Sequence, residues 1–237
     1  KYIASVSFGK DSVAMLLKVI ETGIFNIDEV VFYDTGMEFQ AIYHVRNIIK
    51  AYLKTKNIKY TELKPERPFE FDMFEKPVQH RDGTITNGYS WCGGRCRWGT
   101  SRKIKAIDNY CKNKNAIQLI GIAYDEPHRI KKDSNKCYPL VIYKMTEKDC
   151  LEYCYSKNIY WLESGHRLYD LLDRVSCWCC ANKNLKELKN YFLYLPEYWN
   201  KLKQMQQKTE RPFKTGKTIF DIEQKFKGEL NVEHRKL

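Results

Sequence analysis

No uninterrupted apolar run in the 237 residues approaches the roughly 18–20 residues that a membrane-crossing helix needs. A spanning helix and a membrane partner are therefore not expected. No basic leader followed by an apolar stretch precedes the first apolar run, which begins at residue 2, so a secretory signal peptide is not expected either. The first residue is Lys1 rather than Met, which suggests a trimmed or partial N-terminus. Histidine is scarce, with five in all, and His80, His128 and His166 have no ligand-like spacing. The P-loop pattern is missing too. It needs a glycine well before Gly-Lys-Ser/Thr, and the stretch Gly216-Lys217-Thr218 has Arg211 where that glycine would stand. Acidic residues are in deficit, 29 Asp and Glu against 41 Lys and Arg, for a formal charge of +12.

What is present suffices for a globular fold. At 43% hydrophobic the chain can bury a substantial core, and we expect a main domain over 1–180 and a small, basic, helical extension over 181–237. Nine cysteines without a secretory signal point to a reducing compartment, the cytoplasm, with thiols or metal ligands rather than disulfides. The extension holds 13 Lys and Arg against 7 Asp and Glu. Such a surplus suits a polyanionic partner or, equally, a lysine-rich solvated surface.

The most informative short stretch is Ser7-Phe8-Gly9-Lys10-Asp11-Ser12. Before it, Tyr2 to Val6 reads as a buried strand. After it, Val13, Leu16, Leu17 and Ile20 recur at helical spacing and Gly23 suits a helix stop. A turn between strand and helix exposes unpaired amides at the positive end of the helix dipole, which attracts anions. Gly9 permits close approach, Lys10 adds a charge, and Ser7 and Ser12 offer hydroxyls, so the turn reads as a phosphate cradle. The plainer alternative is a helix capped by Asp11 or Ser12.

Strands and helices then alternate. Glu29–Asp34, Ile58–Leu63 and Ala116–Ala123 read as strands. Phe39, Ile42, Val45, Ile49 and Leu53 mark one helix face, and Thr100–Cys111 reads as another helix. This pattern predicts an α/β fold, a parallel Rossmann-like sheet with helices on both faces. Ligands of such sheets bind at the carboxyl ends of the strands. That edge should gather the cradle, Asp34-Thr35-Gly36 and the segment Gly121 to Arg129.

Cysteines fall in two groups, Cys92 and Cys96 in WCGGRCRW, and Cys177, Cys179 and Cys180 in SCWCC. Gly93 and Gly94 allow a tight turn between the first pair. Four thiolates, Cys92, Cys96, Cys177 and Cys180, suit a tetrahedral zinc or a [4Fe–4S] cluster. Cys179 could replace Cys180 as ligand or carry a persulfide, and the alternative for the whole set is ordinary buried thiols. Cys150 and Cys154, one turn apart on a helix that Thr146 caps, read as core.

Several of these stretches resemble known families. The cradle is similar to the pyrophosphate loop of the N-type ATP pyrophosphatases, Ser-Gly-Gly-Lys-Asp-Ser, with Phe8 in place of one glycine. The stretches YDTGMEF at 33–39, GIAYDEPHRI at 121–130 and YPLVIYKMTEKDCLEYCYSKNI resemble the phosphoadenosine phosphosulfate reductase family. That resemblance implies an adenine nucleotide α-hydrolase-like sheet in which Ser7, Phe8, Gly9, Lys10, Asp11 and Ser12 hold phosphates, Asp34, Thr35 and Gly121 line the nucleotide site, and Arg129 meets an anionic group. The cysteine spacing is similar to that of adenylylsulfate reductases, which hold an iron–sulfur cluster, although the first pair there is adjacent and here is Cys-x3-Cys. Reductases of the family often lack Lys-Asp-Ser and carry a catalytic cysteine near the C-terminus. Here Lys10-Asp11-Ser12 is intact and the stretch GELNVEHRKL holds no cysteine.

These features suggest an enzyme that uses ATP and Mg²⁺, forms AMP and pyrophosphate, and transfers sulfur by way of the cysteine-held cluster. The expected partners are ATP or an adenylyl nucleotide, a sulfur-donor protein, and a nucleic acid (tRNA or DNA) as acceptor. Two alternatives stand beside it: a phosphoadenylyl- or adenylyl-sulfate reductase or sulfate-activating enzyme, and a non-catalytic, zinc-stapled nucleotide- or nucleic-acid-binding module. For the nucleic acid, Lys183, Lys186 and Lys189 at helical spacing and Tyr191, Tyr194, Tyr198 and Trp199 offer a charged face with stacking rings, or else a helical core with a solvated face.

Overall fold

The computed structural model describes residues 1–94, 96 and 99–234, so Arg95, Arg97 and Trp98 of WCGGRCRW and the last three residues of the tail lie outside the described residues. In chain order the first elements are β1 (Tyr2–Ser5), α1 (Lys10–Thr22), β2 (Ile27–Tyr33), α2 (Gln40–Thr55), β3 (Lys59–Leu63), β4 (Pro77–Gln79), β5 (Ile85–Asn87), α3 (Thr100–Asn113) and β6 (Ile117–Ile120). Then come β7 (Lys136–Cys137), α4 (Pro139–Ile142), α5 (Glu147–Ser156), β8 (Leu162–Glu163), β9 (His166–Arg167), α6 (Leu168–Leu171), α7 (Leu185–Tyr194), α8 (Pro196–Gln207) and α9 (Ile219–His234). Two units emerge: Lys1–Pro65 with Arg102–Trp161, and Glu66–Ser101 with Leu162–Leu237. The expected boundary at 180/181 falls inside the second unit.

The first unit is a parallel five-stranded sheet in the order β3-β2-β1-β6-β7. Strand β2 is buried along nearly its whole length, as a strand covered on both faces must be. One face carries Ile3, Val31, Tyr33, Ile107, Cys111 and Ala116 as a buried cluster. Helix α1 buries Val13, Ala14, Met15, Leu16, Leu17 and Val19 and stops at Gly23, whose φ of 65° places it in the left-handed region while its N–H bonds to the Val19 carbonyl. A reciprocal capping box of Thr146 and Asp149 starts α5. Cys150 and Cys154 are fully buried in the core, as their spacing predicted. Chain order turns in opposite directions on either side of β1 and β6, which makes their carboxyl ends the switch point where a crevice opens.

The second unit holds the two hairpins β4–β5 and β8–β9 and the helices α6 to α9. Its core is aromatic: Tyr191, Tyr198, Trp199 and Phe226 are at most 3% exposed. Trp199 lies 5.6 Å from the Phe192 ring and 5.9 Å from Phe226. This corrects the expectation of stacking rings for nucleic acid, since only Tyr194 of the four is exposed. The lysine face is corrected as well. Asn184 and Glu187 form the capping box of α7, so the helix begins after Lys183, and Lys183 is buried. Lys189 pairs with Glu229 at 3.0 Å, leaving Lys186 as the exposed member. Among the described residues no helix is long and apolar enough to cross a membrane.

Candidate active site

The loop between β1 and α1 is a tight turn. Its helix is capped by Gly9, with no side chain bonding the first turn, which corrects the alternative of an Asp11 or Ser12 cap. Ser12 instead turns back: its Oγ donates to the Gly9 carbonyl at 3.0 Å and lies 3.2 Å from both the Ser7 amide and Ser7 Oγ. Phe8 stands at φ 60°, a left-handed conformation that glycine adopts freely, and its ring is fully buried 5.0 Å from Phe32 in an edge-to-face contact. Its carbonyl accepts the Trp161 indole N–H at 2.7 Å. Packing of the ring holds the turn where a glycine would leave it loose.

Lys10 is 7% exposed, and its Nζ lies 2.7 Å from Asp11 Oδ1 and 2.8 Å from Glu147 Oε2. Burial works against the ammonium, but the two carboxylates outweigh it and hold its pKa above the ordinary value. Burial pushes the Asp11 carboxyl up, Lys10 pulls it down, and Glu147 and Glu126 push it further up. Glu147 is the first residue of α5, and its N–H donates to Asp125 Oδ1 at 3.0 Å, which aims that helix end at the cradle. The lysine is thus held by acid groups rather than extended toward solvent.

The other expected segments do follow the carboxyl ends of the parallel strands. Asp34 Oδ1 accepts from the Gly36 amide and from the Tyr43 hydroxyl, both at 2.8 Å. Burial, then the Asp34 bond, pushes the Tyr43 hydroxyl well above its usual range. Thr35 Oγ1 accepts from the Met37 amide at 3.2 Å. Gly121 lies so close to α1 that a Cβ there would sit 2.8 Å from the Asp11 carbonyl oxygen and Ser12 Cα. The segment after β6 therefore packs on the first turn of α1, and only glycine fits at the contact. Arg129, on a short 3-10 turn, is ion-paired with the buried Glu126. Sequence reasoning gave no role to Glu147, Glu126 or Tyr43: Glu126 lay within the GIAYDEPHRI stretch, whereas Glu147 and Tyr43, an acid and a tyrosine in a charged chain, carry no spacing signal.

A loop of this kind, on a sheet of this order, agrees with the comparison to known families. The phosphoadenosine phosphosulfate reductase domain matches residues 1–182. The chain belongs to that family. The phosphoadenosine phosphosulfate reductase family sits in the N-type ATP pyrophosphatase-like superfamily and comprises nucleotide-utilising, sulfur-related enzymes. The uncharacterized protein MJ0973 of Methanocaldococcus jannaschii is similar at 24% identity over 211 residues, covering 83% of this chain and 45% of that protein. The chain thus spans about half the length of the relative it matches.

The second unit of this family member holds the two cysteine groups, Cys92 with Cys96 and Cys177 with Cys179 and Cys180. A cavity of about 70 Å³ is lined by Cys92, Cys96, Cys177, Cys179 and Cys180 together with Trp91 and Phe69. The two sequence groups are therefore brought to one place. The neighbouring Cys92 thiol, then burial, pushes the Cys96 thiol up. Gly94, at φ 68°, makes the turn between them, and its N–H and carbonyl both bond the Asn182 amide, at 2.7 and 2.6 Å. The SCWCC segment is pinned in turn: Tyr191 hydroxyl to the Trp178 carbonyl at 3.0 Å, Lys183 Nζ to the Arg174 carbonyl at 3.1 Å, and Lys214 Nζ to the Ala181 carbonyl. Burial lowers the pKa of both lysines, while nearby cysteines act to raise it.

Among the described residues no three His, Cys, Asp or Glu side chains converge as a ready-made ligand set. The donor chemistry nonetheless suits a thiophilic metal, since five thiols line the cavity against two hydroxyl side chains, Thr100 and Ser176. One further atom fits such an occupant. Trp91 is 2% exposed and its Nε1 is buried with no hydrogen-bond partner among the described residues, a loss of about 1–3 kcal/mol for an unpaired donor. By contrast Cys111, in the sheet unit, has its thiol pushed up to about 11 by burial, with Asp108 and Glu29 adding, and is an inert core group.

Proposed function

We propose that this protein is an ATP-dependent sulfurtransferase-type enzyme that forms AMP and pyrophosphate. The observation that carries this reading is Lys10, a buried, fully charged ammonium on the loop at the switch point of the sheet. Lys10, Asp11 and Ser12 are the proposed catalytic group. Ser7, the backbone of Phe8, Gly9, Asp34, Thr35, Gly121 and Arg129 are the proposed nucleotide contacts.

In this reading an acceptor oxygen attacks the α-phosphorus of ATP, the bond to the β-phosphate oxygen breaks, and pyrophosphate leaves with its charge met by Lys10 and Mg²⁺. Sulfide-level sulfur from a donor protein then attacks the adenylated carbon. The carbon–oxygen bond breaks, AMP departs with the oxygen, and the product keeps the sulfur as a thiol, so no external oxidant or reductant is needed. Cys92, Cys96, Cys177 and Cys180 are proposed to hold a [4Fe–4S] cluster, with zinc as the alternative, and a bound cluster would supply a soft site for sulfide. The family match favours a second reading, reduction of a phosphoadenylyl or adenylyl sulfate.

Incubation with ATP labelled at the α- and γ-phosphates separates the two. AMP and pyrophosphate support the first reading, and ADP with phosphate rejects it. Sulfite release from adenylyl sulfate with a thiol reductant, without ATP turnover, supports the second. The acceptor is tested by retardation of tRNA and duplex DNA across a salt series. Binding that weakens steeply with salt identifies a polyanionic acceptor, whereas absent or salt-insensitive binding points to a small molecule.

A further inference from the structure

We propose that the indole N–H of Trp91 donates a hydrogen bond to a sulfur atom of the iron–sulfur cluster held by the surrounding cysteines, and thereby favours the reduced cluster. The inference rests on the cluster assignment of the proposed function and names a residue that acts on it.

Three observations place the donor. Trp91 lines the same cavity as Cys92, Cys96, Cys177, Cys179 and Cys180. Its Nε1 is buried and has no hydrogen-bond partner among the described residues. Its ring is held rigidly, edge-to-face on Phe213 with centroids 4.7 Å apart. The preceding Ser90 is also fixed, at φ 52°, with its N–H on the Met73 carbonyl at 2.8 Å and its Oγ 2.7 Å from Thr209 Oγ1. Ring position is thus set by the fold and not by the occupant.

A neutral thiol is a poor acceptor for such a donor, whereas a thiolate or an inorganic sulfide is a good one because it bears negative charge. An anionic, sulfur-rich centre in the cavity that Trp91 lines would offer the indole N–H the kind of acceptor it lacks. Negative charge on the sulfurs grows when a cluster gains an electron, so the bond strengthens on reduction and raises the potential, as outer hydrogen bonds to cluster sulfurs do. Zinc held by four thiolates offers no electron to gain, so the proposal commits to a cluster.

Trp91→Phe keeps the ring and removes the N–H. After anaerobic reconstitution of the full chain, we expect iron and sulfide content equal to the unaltered protein. The midpoint potential should move to a more negative value, by about tenfold in the reduction equilibrium, or about 59 mV for one electron. A loaded W91F protein with an unchanged potential would overturn the inference while leaving the cluster assignment standing. A protein that binds zinc or no metal removes the cluster itself, so the proposed function fails first and the two failures are distinguishable. Should W91F not load, ¹⁵N-indole labelling of chain carrying Trp98→Phe and Trp178→Phe decides the matter: a nitrogen hyperfine coupling on the reduced cluster's signal supports the bond, and its absence rejects it.

Discussion

Glu147 closes on Lys10 across 137 residues of chain, its Oε2 2.8 Å from the ammonium. Lys10 belongs to the Ser7–Ser12 stretch that the proposed function assigns to phosphates, so a phosphate arriving there competes with the Glu147 carboxylate. Glu147→Gln keeps a polar side chain and removes the competing charge. Pyrophosphate should bind about tenfold more tightly to E147Q, equivalent to about 1.4 kcal/mol, when measured by calorimetry at low salt. Equal or weaker binding would mean that Glu147 presents Lys10 rather than restrains it.

Lys10→Ala removes the cation altogether. A charge-assisted contact contributes about 1.5–3 kcal/mol, so pyrophosphate affinity and AMP formation should fall by one to two orders of magnitude. Because Lys10 also neutralises Asp11 and Glu147, the thermal midpoint should be compared with that of K10A/E147Q, in which one stranded carboxylate is gone. Loss of binding in both, with stability recovered in the second, separates the ligand contact from the structural one.

The cysteines divide by location. Replacing Cys92, Cys96, Cys177 or Cys180 with Ser should each lower bound metal, as read by elemental analysis, whereas Cys111→Ser should not, since Cys111 packs between strand and helix in the sheet unit. Full metal content in C96S would reject the four-thiolate assignment. A C179S protein that keeps its metal leaves Cys179 as the spare thiol of the cavity.

Phe8→Gly tests whether packing or backbone strain dominates the loop. A left-handed non-glycine residue costs about 1–2 kcal/mol, and glycine would relieve it. The buried ring against Phe32 is worth more, about 3–5 kcal/mol for a large aromatic. F8G should therefore be less stable by a net ~1–4 kcal/mol in urea unfolding. A more stable F8G would show the ring to be poorly packed.

Stability should also depend on Glu29. Buried in β2 at 1% exposure, it accepts from Lys114 Nζ at 2.8 Å and Tyr110 hydroxyl at 2.6 Å. Burial pushes its pKa up, but the bonds from Lys114, Thr61 and Tyr110 prevail and bring it from 4.5 to about 2. A depressed folded pKa gives stability that is present above the unfolded value and lost as pH falls through the folded one. Unfolding free energy should thus decline between about pH 4.5 and 2, by on the order of 3 kcal/mol from this group. Glu29→Gln should be less stable at neutral pH and show a flatter acid limb in urea titrations.

Local order in the sequence determined a good deal of this protein. The apolar run before Ser7, the helical spacing after it and Gly23 at its end specify a strand, a loop and a helix, and alternation specifies a parallel sheet, because period and capping are properties of neighbours along the chain. The same logic placed Thr146 as a cap and Cys150 and Cys154 in the core. What tertiary structure decided is which distant residues meet. Nothing in the spacing of Glu147 reveals that it faces Lys10, and Lys183 reads as part of a lysine stripe until the capping box at Asn184 excludes it from the helix and burial carries it beside the cysteines. Tyr191, Tyr198 and Trp199 likewise read as exposed rings or core until three helices close over them. Whether Trp91 has a partner is settled only by the packing around Phe213. Those outcomes depend on contacts between segments far apart in the chain, which burial and hydrogen-bond geometry select and local sequence does not encode.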